Sequence, residues 1–461
     1  MSVIKNTSGS YSPPLEGQGE ASLPSYGGVG GGRKRVAFKT LGCRLNQYET
    51  DALVSDFDKA GYEVVDFKEQ ADVVVVNTCT VTNQSDQKSR NTISQAARNN
   101  KGSVVVVTGC MANNYKEKLE GEEKITYVVE NNRKGSILNL VDGHFGGELM
   151  HPEKLHADVF QFHAVNKSLH TRSAIKIQDG CDNFCTFCII PSVRGRAVSR
   201  PLPQIIENVK DTLANGFKEL VITGVNIGRY EWEDKRFEDV LEAILNVEGD
   251  FRVRISSLEP DGFSNDFVKL FENPKLVPHL HLCLQSGSDR VLLRMRRMYD
   301  LARFEHVVKL FRSHYPDFNF TTDMIVGFPD ESEEEFQQSI DSVSNFGFGH
   351  VHTFKYSVRR GTRAERMENH IPEKIKNERS ARLREASEDS REKFLQSFIG
   401  KTQTVLIEGI DGRNVANGYG EHYVPVRFKA KGLEKNTFHK VKLLKVEGRG
   451  EDACVIGELV E

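Results

Sequence analysis

The sequence predicts a multidomain α/β protein: an N-terminal α/β open parallel sheet, a (βα)6 partial barrel and a small all-β domain. Three observations carry this reading. Valine-rich runs alternate with helix-like stretches over residues 34–150, a longer strand–helix alternation fills 167–396, and strands alone occupy 397–461. A chain of 461 residues is too long for one ordinary core. Its net charge of −3 means that any nucleic-acid footprint must be a local patch. No apolar run approaches the ~20 residues of a membrane span, and no charged segment followed by an apolar core opens the chain. Eight cysteines in that context point to a reducing cytoplasm and to metal binding rather than disulfides.

Residues 1–33 are rich in Gly, Ser and Pro and bury too little apolar surface to order, so they predict a disordered tail. Three strand-like runs then each end at a cysteine. Val36–Thr40 leads to Cys43, Val73–Thr78 to Cys79 and Val104–Gly109 to Cys110. Helical stretches over 48–60 and 85–98 separate them. Open parallel sheets bind ligands beyond the carboxyl ends of their strands. Three cysteines at three such ends therefore converge on one edge, as a three-thiolate site or as buried core thiols.

The barrel strands are expected at 174–178, 219–223, 252–256, 279–285, 319–326 and 350–355. One helix starts near Arg200-Pro201, and another follows Ser332 with Glu335 completing a capping box. The first strand leads into Cys181-x3-Cys185-x2-Cys188, at the functional end of such a barrel. A zinc site normally takes four ligands, whereas three thiolates on an iron–sulfur cube leave one iron open. A charged helix over 372–396 connects to strands expected at 404–407, 423–428, 440–446 and 455–460. Arg427, Lys429, Lys431, Lys440 and Lys442 give this last domain a local positive excess suited to phosphates, and His422, Tyr423 and Phe428 offer stacking faces. Arginine clusters at 194–200, 294–297 and 359–363 add charge near the barrel mouth or pair with local acids. Cys283 and Cys454 lie in apolar runs and read as core residues; the histidines show no ligand spacing.

The Cys181–Cys188 spacing resembles that of the radical S-adenosylmethionine (SAM) enzymes, in which an aromatic residue such as Phe187 often precedes the third cysteine. Over residues 34–461 the three-part order resembles the methylthiotransferases, whose last unit is the TRAM domain, an OB-like RNA-binding module. The stretch Phe38-Lys39-Thr40-Leu41-Gly42-Cys43-Arg44-Leu45-Asn46-Gln47-Tyr48-Glu49-Thr50 is similar to the branch acting on N6-threonylcarbamoyladenosine in tRNA. The isopentenyladenosine branch more often has Gly-Cys-Gln-Met-Asn there.

This resemblance implies two 4Fe-4S clusters, one on Cys181, Cys185 and Cys188 for SAM cleavage, the other on Cys43, Cys79 and Cys110 as an auxiliary sulfur-carrying site. It implies two SAM molecules per turnover, one as methyl donor and one as radical source. It also implies an electron donor such as flavodoxin or ferredoxin, a sulfur donor, and tRNA as partner. The SAM contacts it implies are Phe187, Gly224, Asn226, Ser256, Ser257, Glu259 and Gln285, all following barrel strands. Asp323 stands where the superfamily often has glycine. Isopentenyladenosine tRNA or a ribosomal-protein aspartate as substrate, or a non-catalytic iron–sulfur RNA-binding protein, are the competing readings.

Overall fold

The computed structural model describes residues 33–148, 150–166 and 171–460. The tail expected over 1–33 lies, but for Arg33, outside the described residues.

The N-terminal sheet is wholly parallel, with five strands. Arg35–Thr40 pairs with both Glu63–Val65 and Val73–Thr78, followed outward by Val104–Gly109 and Tyr127–Val129. All six residues of each of the two central valine runs are buried, as strands covered by helices on both faces require. Two aliphatic clusters, one per face, complete this layer. The two edge strands, three residues each, are additions to the sequence expectation. Helices Arg44–Lys59 and Asn83–Asn99 begin beside Cys43 and Cys79, and a short helix begins at Cys110 itself.

The central region is an open partial barrel. Ser173–Lys176, Glu219–Thr223 and Arg252–Ile255 form one parallel group. Ser257–Leu258, His279–Leu282, Asn319–Val326 and His350–Lys355 form the next. The third barrel strand is thus interrupted at Ser256, which lets it pair with one neighbour before the break and with the other after it. The capping box at Ser332 is present: its hydroxyl accepts from Glu335 N at 3.2 Å, and Glu335 Oε2 accepts from Ser332 N at 2.9 Å. The core is dominated by Phe, Leu, Ile and Val from all six units.

Helix Glu373–Gln396 leads to a closed five-stranded barrel. Its second strand, Val415–Tyr419, escapes the sequence pattern because Gly and Asn interrupt the apolar alternation. Tyr423, expected to start a strand, instead sits at φ 61° in the turn before Pro425–Lys429. That turn packs against the amino ends of the large barrel's strands. Arg252 donates to Tyr419 O and Thr404 O at 2.9 Å, and Asn319 Nδ2 donates to His422 O at 2.8 Å.

Candidate active site between two three-cysteine centres

Cys43, Cys79 and Cys110 stand at the carboxyl ends of three adjacent strands, as the sheet logic predicts. Gly42 takes φ 96°, and a Cβ there would lie 2.8 Å from Cys79 Cβ and 2.9 Å from its Sγ, so only glycine lets the two loops approach this closely. Cys79 and Cys110 are buried while Cys43 is exposed. Burial pushes the Cys110 thiol up to about 11, against the pull of Arg194 and Lys134, and each of the other two cysteines adds to the rise. Cys79 rises for the same first reason. Thiols in this state are protonated at neutral pH; a metal centre is what would hold them as thiolates.

Cys181, Cys185 and Cys188 occupy a loop after the first barrel strand, all partly buried. Burial raises the Cys188 thiol to about 12. The loop is tied down at Thr186, whose N–H donates to Met295 O at 3.1 Å and whose hydroxyl donates to Arg294 O at 2.9 Å. Arg297 donates to Cys185 Sγ at 3.1 Å and to Glu259 at 2.7 Å; Glu259 also accepts from Asn183 at 2.7 Å. A guanidinium on a thiolate is the compensation that an anionic cluster site calls for. Both donor sets, three sulfurs and a nearby cation each, fit a cube with one open iron.

The SAM candidates stand on this loop and at the ends of the next three barrel strands. Asn226 is buried near Cys181, and its Nδ2 makes no hydrogen bond among the described residues. An orphaned buried donor beside a metal-ligand loop marks a place for a ligand oxygen. Gly224 packs against Ile227 and Gln178, where any Cβ would press. Phe187 lies against Phe328, with ring centroids 6.3 Å apart, in a small apolar group that includes Val291 and Tyr356. Ser256 is buried at the strand break and Ser257 exposed beyond it. Gln285 takes φ 69° and bridges to Met324 in the next strand.

A buried ion network joins the two centres. Glu49, three residues beyond Asn46 and so on the same face of the first helix, meets Lys134, Lys176 (2.9 Å) and Arg194 (3.0 Å). Arg194 also binds Asp179 at 2.9 Å and Asn46 Oδ1 at 2.6 Å. Asn46 in turn donates to Leu41 O and Thr78 O, next to Cys43 and Cys79. Burial alone would raise the Glu49 carboxyl, but Arg194, Lys134 and Lys176 outweigh it and hold it well below 4.5. Arg194 closes the helix Ile190–Arg194, which starts two residues after Cys188 and packs Ile189 and Val193 on Cys110.

Several expectations change. The arginine clusters divide: Arg194 and Arg200 are buried, Arg294 pairs with Glu335, Arg297 with Glu259 and Arg359 with Asp86, while Arg196, Arg296, Arg360 and Arg363 stand exposed. None of the three aromatic candidates presents a free stacking face. Phe428 is core, His422 packs on Phe398, and Tyr423 stacks on Tyr419 and His279 inside the domain junction. Arg427, Lys429, Lys431, Lys440 and Lys442 do stand exposed, on the two strands flanking Cys454–Leu459 and the turn beyond. Cys283 is not an ordinary core residue: it is half-buried, and its sulfur lies within 4.8 Å of ligand atoms of His281 and Asp323. Those residues, with His352, were invisible to sequence spacing because three strands supply them. Glu49 and Lys134 carried no signal of burial, since both lie in polar stretches, and only Lys176 is a charge in an apolar strand.

A parallel partial barrel with a three-cysteine loop after its first strand defines a radical SAM protein. The family models agree: Uncharacterized protein family UPF0004 matches residues 35–130, and the Radical SAM superfamily matches 175–343. The chain is 36% identical to Threonylcarbamoyladenosine tRNA methylthiotransferase MtaB of Thermotoga maritima, covering 91% of this chain and 97% of that one. The Bacillus subtilis protein of the same name is 36% identical over 89% and 94%. A tRNA-2-methylthio-N(6)-dimethylallyladenosine synthase of Fusobacterium nucleatum is 33% identical over 89% and 97%. Among solved structures, the radical S-adenosylmethionine methyltransferase TsrM of Kitasatospora setae shares the fold at TM-score 0.50 and 15% identity, over 70% of this chain and 72% of that one. The chain belongs to the radical SAM methylthiotransferase family, on its threonylcarbamoyladenosine branch.

Proposed function

We propose that this chain places a methylthio group on C2 of N6-threonylcarbamoyladenosine at position 37 of tRNA, 3′ of the anticodon. The observation that carries the reading is the near full-length match to enzymes of that name, on a chain that keeps both three-cysteine centres and faces them across one short helix. The isopentenyladenosine relatives match less closely.

Cys181, Cys185 and Cys188 would hold the SAM-cleaving 4Fe-4S cluster, and Cys43, Cys79 and Cys110 the auxiliary one. Bound there, the clusters and SAM supply the radical and sulfur chemistry that no side chain provides, since an aromatic C–H offers no acidic proton. The chain's own residues position and exclude water. Asn226 offers its free amide to SAM, Phe187 an apolar face, and Gly224, Ser256, Ser257, Glu259 and Gln285 line the same strand ends. Arg297 offsets the charge on Cys185 while Glu259 fixes its orientation. Arg194 and Lys134 place positive charge beside Cys110.

The three working units are 34–150, 167–396 and 397–461, the last gripping tRNA phosphates through Arg427, Lys429, Lys431, Lys440 and Lys442. A reduced flavodoxin or ferredoxin supplies electrons, a separate donor the sulfur, and the site of action is the cytoplasm. No helix among the described residues is long and apolar enough to cross a membrane. Mass spectrometry of tRNA nucleosides from cells with and without the gene tests the reading. Loss of the 2-methylthio form with accumulation of threonylcarbamoyladenosine supports it. Loss of the methylthio-isopentenyl nucleoside instead moves the substrate, and an unchanged nucleoside profile sends the search to ribosomal proteins.

A further inference from the structure

Arg44 follows Cys43 and opens the helix Arg44–Lys59. Its side chain is exposed but does not point to bulk water alone: Nη2 lies 3.4 Å from the Tyr423 hydroxyl, contributed by the C-terminal barrel. Tyr423 stacks on His279 of the large barrel at 4.8 Å. The charge of Arg44 also reaches His279 and His352 inside that barrel. All three units therefore meet around this one guanidinium, next to a cysteine of the auxiliary centre.

Its neighbours are already occupied. Arg172 and Arg254, which lie over the Tyr423 ring, are held by Glu408 (2.7 Å) and Glu219 (3.0 Å). Arg194, near the same cysteines, is held by Asp179 and Glu49. Among the described residues no carboxylate pairs with Arg44; its partner is a phenol. Burial would raise the Tyr423 phenol, but Arg172, Arg44 and Arg254 outweigh it and bring it below 10.0, so the net local charge is positive.

Substrate geometry gives this charge a use. In adenine, C2 and the N6 substituent flank N1 on one edge of the ring. When C2 faces the cysteine centre that bears sulfur, the N6 substituent lies beside that centre too. In threonylcarbamoyladenosine this substituent ends in a carboxylate; in isopentenyladenosine it is a hydrocarbon. We propose that Arg44 binds the threonyl carboxylate and so sets the preference for an anionic N6 group. This rests on the substrate reading above.

The test uses the reconstituted full-length enzyme and two anticodon stem-loops, one with threonylcarbamoyladenosine at position 37, the other with its threonyl carboxamide. The readout is the ratio of kcat/KM for methylthiolation of acid over amide within one preparation, which cancels any loss of folded or cluster-loaded protein. The native enzyme should favour the acid by about 10- to 100-fold, the range of a charge-assisted hydrogen bond. Arg44→Gln should bring the ratio near one, and Arg44→Lys should restore part of it. If a variant does not turn over, the same ratio is read from dissociation constants of the two stem-loops. An unchanged ratio in Arg44→Gln overturns the assignment and leaves Arg44 as charge compensation for Cys43, which would slow both substrates alike. A native enzyme that is active without preference overturns it too. A native enzyme inactive on both stem-loops, yet active on an isopentenyladenosine stem-loop, overturns the substrate reading and the Arg44 assignment together.

Discussion

The two cysteine centres hold the same number of sulfurs by opposite means. Cys181, Cys185 and Cys188 lie on one loop and are brought together by eight residues of chain. Cys43, Cys79 and Cys110 are separated by more than thirty residues at each step and are brought together by a sheet. The loop centre borrows its cation from outside, Arg297, through Glu259. The sheet centre is built around a buried network of two carboxylates and three cations that also reaches the barrel. A local centre can be lost without the fold. A non-local one is part of the fold, so damage to its surroundings should appear as lost stability as well as lost chemistry.

The largest effects separate the two centres outright. Cys185→Ala should abolish SAM cleavage while leaving about four of the eight irons of two cubes, read by iron assay and deoxyadenosine chromatography. Cys79→Ala should leave SAM cleavage measurable and remove methylthiolated product; full product from that variant removes the auxiliary-centre assignment.

Next comes the network. Glu49→Ala strands Lys134 and leaves Lys176 and Arg194 to share Asp179, and unfolding by denaturant should show a loss of about 3–5 kcal/mol, the usual result of removing one partner of a buried ion pair. Glu49→Gln should fall between. A stability change no larger than that of an exposed ion-pair variant would show that the network is not structural. The same group sets an acid limb. Its carboxyl is held below 4.5 in the folded state, so its contribution is present above about pH 4.5 and is lost as pH falls through the depressed folded value. Glu219, lowered by Arg254, Arg252 and Arg172 at the junction with the small barrel, acts in the same direction. Melting curves from pH 7 down to 3 should show this decline in the native protein and a shallower one in Glu49→Gln.

The smallest effect belongs to the surface. Lys440→Ala with Lys442→Ala should weaken tRNA binding and flatten its logarithmic salt dependence by about one to two, since each phosphate contact adds roughly 0.7–0.9 to that slope. An unchanged slope would place the phosphate-binding face elsewhere.

Legibility in the sequence followed the same division. The loop centre is a spacing and could be read directly. The three strands ending in cysteines could be read because a short unbroken run of valines suits a strand covered on both faces and little else, and the runs Val73–Thr78 and Val104–Gly109 match the observed strands. What could not be read was anything assembled from distant pieces. Arg194 and Arg297 read as surface charge because arginine usually is; only the fold shows them facing Glu49 and Glu259. Tyr423 and Phe428 read as stacking faces because alternation says which residues share a side, not which side closes inward. Cys283 read as core because His281, two residues before it, is no ligand pattern by itself, and Asp323 comes from the next strand.

The helix Ile190–Arg194 can also be considered as a measure of length. Five residues rise about 7.5 Å, and one extra residue would turn everything beyond it by about 100°. Its first turn is fixed to Cys188 and its last residue to Asn46 and Glu49. An insertion there would swing Arg194 out of phase with the first helix and unseat Ile189 and Val193 from Cys110. This segment therefore has to keep both its length and its phase.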